Sequence, residues 1–128
     1  MAAVSASRCK ARLSTFCDAL LEVTQRPGGE HGRHIGYMVG ARTFAYFTDD
    51  HHGDGRLAII CRAAPGDQEA LVASDPDAFF VPPYLGHRGW VGLRLDRIGV
   101  DWEEARELFV DAYRLTAPKR LAARLASQ

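Results

Sequence analysis

The sequence predicts an α+β fold: a five-stranded antiparallel sheet with helices mainly on one face, in the order α-βββ-α-ββ-α-α. Three observations carry this. Segments such as His34–Val39 and Trp90–Leu95 alternate apolar and other residues with the two-residue period of a half-buried strand. The N-terminal region and the region after Asp101 instead repeat apolar residues at helical spacing. Between them stand proline- and glycine-rich breaks, the strongest being Pro82-Pro83-Tyr84-Leu85-Gly86-His87-Arg88-Gly89.

Taken in order, the first helix is expected from about Ser7 to Val23, with Cys9, Leu13, Phe16, Cys17, Leu20 and Leu21 on one stripe. Pro27-Gly28-Gly29 ends that element. His34–Val39, Thr43–Thr48 and Arg56–Arg62 then form an antiparallel meander, with Gly40-Ala41 as a tight turn and 49–55 as a polar loop. Pro65-Gly66-Asp67 opens a two-turn helix over Gln68–Ser74. A strand ending at Val81 must stop where Pro82 and Pro83 fix two φ angles and remove two donors. The chain returns from Trp90, with Val91, Leu93 and Leu95 inward and His87 and Arg88 at the tip of the hairpin. Asp101 and Glu104 stand as N-cap and N3 of a helix striped by Trp102, Ala105, Leu108, Phe109, Ala112 and Tyr113. Thr116 is placed to cap a last helix with Pro118 in its first turn.

At 128 residues and 47% hydrophobic composition, the chain reads as one domain, 1–128, able to bury a core without metal or disulfide. Residues 1–10 lack an apolar core of signal-peptide length, and no run approaches a membrane span. Cys9, Cys17 and Cys61 lack metal-ligand spacing and read as reduced thiols of a cytoplasmic protein. Net charge is zero, which disfavours a polybasic nucleic-acid binder, yet residues 1–48 and 112–128 are net basic while 49–111 are net acidic.

Chemistry-bearing motifs are few. Read as a calcium loop from Asp50, the stretch Asp49-Asp50-His51-His52-Gly53-Asp54-Gly55 puts Cys61 where the twelfth ligand, a glutamate, is required. Adjacent His51 and His52 are poorly placed to share one ion, so a solvated loop without metal is expected. The His31-Gly32-Arg33-His34 spacing lies in a glycine-flanked turn and reads as surface histidines. Cys61 alternates with Leu57 and Ile59, which makes it a buried structural thiol and no nucleophile. No catalytic residues, no metal ligands and no cofactor are assigned.

Nucleic-acid binding has more support. Fourteen of the sixteen basic residues are arginine, the side chain suited to bidentate phosphate contacts. Arg42 at a turn, His87 and Arg88 at the central tip, and Lys119, Arg120 and Arg124 on the last helix are the groups expected to project. Trp90, able in principle to stack a base, is expected in the core.

Glu30-His31, Phe44-Ala45-Tyr46-Phe47, Asp75-Pro76, Pro82-Pro83-Tyr84, Gly89-Trp90-Val91-Gly92-Leu93 and Asp101-Trp102 together resemble the MmcQ/YjbR family over about residues 20–121. The resemblance implies a small α/β protein with a chaperone-like or frataxin-like sheet, in a family usually labelled DNA-binding for a winged arrangement. It carries no catalytic or base-contacting residue set onto this chain. The expectation is therefore a non-catalytic DNA-binding or DNA-associated accessory protein, holding duplex DNA weakly and salt-sensitively through Arg-bearing hairpin tips and a basic C-terminal helix. The alternative is a protein-interaction module, chaperone-like or adaptor, that holds a protein partner on the free sheet face.

Overall fold

The computed structural model describes residues 5–29, 32–50, 53 and 55–126. Ser5 caps the first helix, α1 (Ala6–Asp18), its hydroxyl accepting the Arg8 N–H at 3.1 Å. Cys9, Leu13 and Cys17 form its buried stripe. The helix stops at Asp18, short of the expected Val23. Leu20 is still buried, but from the turn that follows the helix. Glu22 there adopts a left-handed φ of 59° and redirects the chain into β1 (Val23–Gly28).

That strand corrects the expected count: the sheet has six strands, not five. The others are β2 (His34–Val39), β3 (Arg42–Asp49), β4 (Leu57–Cys61), β5 (Phe79–Phe80) and β6 (Val91–Arg94). Their order is β1-β2-β3-β4-β6-β5, and each neighbouring pair is antiparallel. β1 escaped the sequence reading for a physical reason. It is an edge strand, exposed over residues 24–28, so no apolar alternation marks it. The same edge position tolerates Pro27, whose missing N–H would break a central ladder.

The helices α2 (Asp67–Ser74), α3 (Trp102–Thr116) and α4 (Lys119–Ala126) complete the fold. Asp101 caps α3 as read, its carboxylate accepting the N–H groups of Glu103 and Glu104 at 3.0 and 3.1 Å. Thr116 does not cap α4. It ends α3, buried, and donates its hydroxyl to the Ala112 carbonyl at 3.0 Å, because the helix turns it inward.

One face of the sheet carries the core. Val91, Leu93 and Leu95 are buried there in one cluster with Phe109 and Tyr113 of α3, and Trp102 and Leu108 are packed against it. Phe109 meets Tyr37 and Phe44 edge-on at 5.0 and 5.1 Å between centroids, and Phe44 meets Tyr113 at 5.7 Å, the arrangement favoured by ring quadrupoles. The three thiols are unbonded and buried. Burial pushes the Cys9 thiol up to about 11 and Cys17 to about 12, and raises Cys61 as well. Among the described residues no helix is long and apolar enough to cross a membrane.

The opposite face is built differently. Trp90 and Ile60 are buried, yet they stand outside that core. Trp90 packs instead on Tyr46, with ring centroids 6.0 Å apart. Phe80 lies so close over Gly92 that any Cβ there would meet its ring at 2.3 Å.

Candidate nucleic-acid interface

The register of β4 on β6 pairs Cys61 with Val91. Both point into the core, so the residues flanking them, Arg62 and Trp90, share the other face. The Arg62 guanidinium lies 5.4 Å from the Trp90 ring centroid, within cation–π range. Two further arginines lie near enough for their charges to act on it. Arg42 begins β3, whose Phe44 carbonyl accepts the Arg62 N–H at 3.0 Å. Arg88 sits in a 3₁₀ turn (Gly86–Arg88) two residues before Trp90. Burial first, and then the positive charges of Arg42 and Arg88, hold the Arg62 guanidinium below its ordinary value.

Among the described residues no carboxylate lies within 4.0 Å of any of the three. The Arg62 Nε–H is buried and has no acceptor among the described residues. Such an orphaned donor is uncommon in folded proteins and calls for an explanation. Arg62 also borders a hollow of about 310 Å³ between α2 and α3, where Asp67, Glu104, Glu107 and Asp111 stand. The charges that bear on its head group are nevertheless the two arginines.

The loop that presents Arg88 is rigidly held. The Gly86 N–H donates to the Pro82 carbonyl at 2.9 Å and the Arg88 N–H to the Leu85 carbonyl at 3.1 Å. Gln68 of α2, buried, donates its amide to the Gly86 and Trp90 carbonyls at 2.8 and 2.6 Å. The sequence reading missed Gln68, which looks like any polar residue of a short helix. Tyr84 is held at a φ of 64° and is 73% exposed. A non-glycine residue there costs about 1–3 kcal/mol, which its surroundings must offset.

Of the six residues singled out by sequence, Arg42 and Arg88 each bear on Arg62, and exposed His87 stands in the same turn as Arg88. Lys119, Arg120 and Arg124 form a separate group on α4. Arg120 is engaged there by Glu22 at 3.1 Å. The Tyr113 hydroxyl beside them donates to the Leu21 carbonyl at 2.7 Å and feels the charges of Glu22, Arg120 and Arg124. Strand register puts both groups at one end of the sheet, since Val23 pairs with Val39 and Val39 with Arg42. Arg62 was overlooked although its alternation with Ile60 was visible. The β4–β6 pairing that brings it to Trp90 skips an intervening strand and leaves no local mark.

In the polar loop 49–55 expected to be free of metal, His51, His52 and Asp54 lie outside the described residues, as does His31 of the other histidine pair. In the loop's described part, Arg33 pairs with Asp49 at 3.3 Å, and Asp50 accepts the Gly55 N–H at 2.7 Å.

An open-faced α+β domain with an arginine group beside a buried tryptophan is the class this geometry defines. The YjbR family model matches residues 19–115, and the chain belongs to that family. The match spans β1 to α3, so Arg42, Arg62 and Arg88 lie within it and the α4 residues beyond it. The fold is similar to that of protein DR2400 of Deinococcus radiodurans, described by the domain name DUF419, with a TM-score of 0.68 and 23% identity. That likeness covers 89% of this chain and 85% of the other. No curated protein matches the sequence.

Proposed function

We propose that the protein binds nucleic acid, without catalysing a reaction on it, by placing phosphates against Arg42, Arg62 and Arg88. The carrying observation is the Arg62 guanidinium laid over Trp90 with a buried N–H that finds no acceptor among the described residues, where the positive charges of Arg42 and Arg88 also bear on it. Guanidinium groups that repel one another gain when an anion arrives, and their planar fork suits phosphate oxygens. His87 stands beside them as a further donor. The α4 group plays a smaller part, because Glu22 already neutralises Arg120.

The test is a salt titration of binding to a labelled duplex, read by fluorescence anisotropy. Each phosphate contact adds about 0.9 to the slope of log K against log salt. Arg42→Ala and Arg88→Ala should each lower the affinity and reduce the slope by about one contact, with the melting temperature unchanged. Arg120→Ala should change the slope less than either. Absence of binding at about 50 mM salt would reject the reading.

A second reading keeps one specific support: the helix-free face carries an apolar hollow of about 500 Å³, and Val81 and Tyr84 are exposed nearby. A protein partner docked on that face would bind independently of Arg42 and Arg88 and with little dependence on salt.

A further inference from the structure

The hollow on the helix-free face adjoins the arginine group at two points. Tyr46 forms part of its wall and also packs on Trp90, over which Arg62 lies. Leu85, at its rim, accepts the Arg88 N–H through its carbonyl. The floor is sheet, and the overhang is the rigid Pro83–Leu85 segment, in which Tyr84 is kept at a left-handed φ.

The lining is mainly apolar, it holds no carboxylate among the described residues, and Arg26 belongs to it. A hollow of about 500 Å³ is of the size that takes a small organic group. A slot with two tyrosines and cations at its rims matches one chemistry well: a flat aromatic group carried on a phosphate chain.

We propose that this hollow is a subsite for an unstacked nucleobase of single-stranded nucleic acid, whose adjacent phosphate rests on Arg42, Arg62 and Arg88. The inference rests on the phosphate reading above and adds to it the class of nucleic acid. In a duplex the bases are stacked and paired, so none can enter without an unstacking cost. In a single strand the base is available, and stacking on an aromatic side chain is worth a substantial factor in affinity whatever the base. Trp90 is only 4% exposed, so its role is to carry Arg62 rather than to stack. Tyr84 supplies the accessible ring.

The experiment compares three labelled probes of equal length at one salt concentration: a single-stranded oligothymidylate, its abasic analogue with the same phosphates, and a duplex. The single strand should bind tighter than the abasic probe by about 5- to 100-fold, the range expected for one stacked base, and tighter than the duplex. Tyr84→Gly removes the ring at a φ that glycine accepts without strain, so folding is preserved. It should erase the advantage of the single strand and leave abasic binding and its salt slope unaltered. Tyr84→Phe should keep the advantage.

Equal binding of base-bearing and abasic probes, with a normal salt slope, would overturn the base subsite and leave the phosphate reading standing. So would a Tyr84→Gly variant that still prefers the single strand. Failure of all three probes to bind would overturn both, and would favour a protein occupant of the hollow.

Discussion

The two faces of the sheet differ in what holds them and in what they leave unsatisfied. On the core face, Val91, Leu93, Phe44 and Phe47 meet α1 and α3, and the polar content is nearly nil. On the other face, Trp90 and Tyr46 pack without helical cover, a guanidinium is partly buried with an orphaned N–H, and a hollow stays open. The core face is made for stability, with aromatic and aliphatic side chains packed against the helices. The other face tolerates features that cost free energy, and such features cluster where a ligand compensates for them.

The largest expected effect tests the core side of this comparison. Leu93→Ala should destabilise the protein by about 2–5 kcal/mol, because it opens a cavity beneath α3. Denaturant unfolding measures it, and a loss under about 1 kcal/mol would contradict the packing. Tyr84→Gly, on the other face, should cost far less, because that residue is mostly exposed and glycine accepts its left-handed φ.

The next effect lies where the two faces meet. Gln68→Leu should cost about 1–3 kcal/mol, since two buried carbonyls lose their donor. Faster proteolysis around the Pro82–Gly89 loop should accompany the loss. An unchanged melting temperature and an equally protected loop would show that Gln68 does not hold it.

The core has its own imperfection, and it sharpens the comparison. The Tyr37 hydroxyl is buried without a partner, and burial raises its ionisation above the ordinary range. Tyr37→Phe should be neutral or stabilising by about 1 kcal/mol, since a desolvated hydroxyl without a bond contributes nothing. A clear destabilisation would mean that the hydroxyl finds a partner in solution.

The smallest effect near neutral pH comes from the thiols. Their folded pKa values are raised, so the unfolded state loses protons first as pH climbs. Stability from the thiols is complete below about 9 and falls as pH rises through the folded values, about 11 for Cys9 and about 12 for Cys17. Melting temperature should decline from about pH 9 upward, and thiol reagents should react slowly below it. Rapid labelling of the folded protein at neutral pH would contradict the burial.

The asymmetry between the faces also explains what could be read from the sequence. The core face was legible because burial imposes periodicity: Val91, Leu93 and Leu95 alternate, and the α3 stripe repeats at helical spacing. β1 was illegible because an exposed edge strand imposes none, and Pro27 spoke against it. Arg42, His87 and Arg88 could be named from their turns, but their meeting with Arg62 depends on β4 pairing with β6, a contact between strands separated by α2 and β5. The basic residues of α4 were correctly seen to project, while the Glu22 that engages Arg120 lies about a hundred positions earlier in the chain. Local physics marks surfaces and stripes. Long-range pairing decides which charges become neighbours.

The central claim is that phosphate is the partner of the orphaned Arg62 N–H and its two neighbours. The most direct measurement follows the arginine side-chain Nε–H signals by NMR while a short oligonucleotide is added. The account predicts that the signals of Arg62, Arg42 and Arg88 shift together and saturate together, with Arg62 moving furthest downfield as its buried N–H gains an acceptor. Arg106 and Arg114, each bound to a carboxylate on α3, should stay in place. Three unmoved signals at saturating oligonucleotide, or a shift confined to arginines elsewhere, would contradict it.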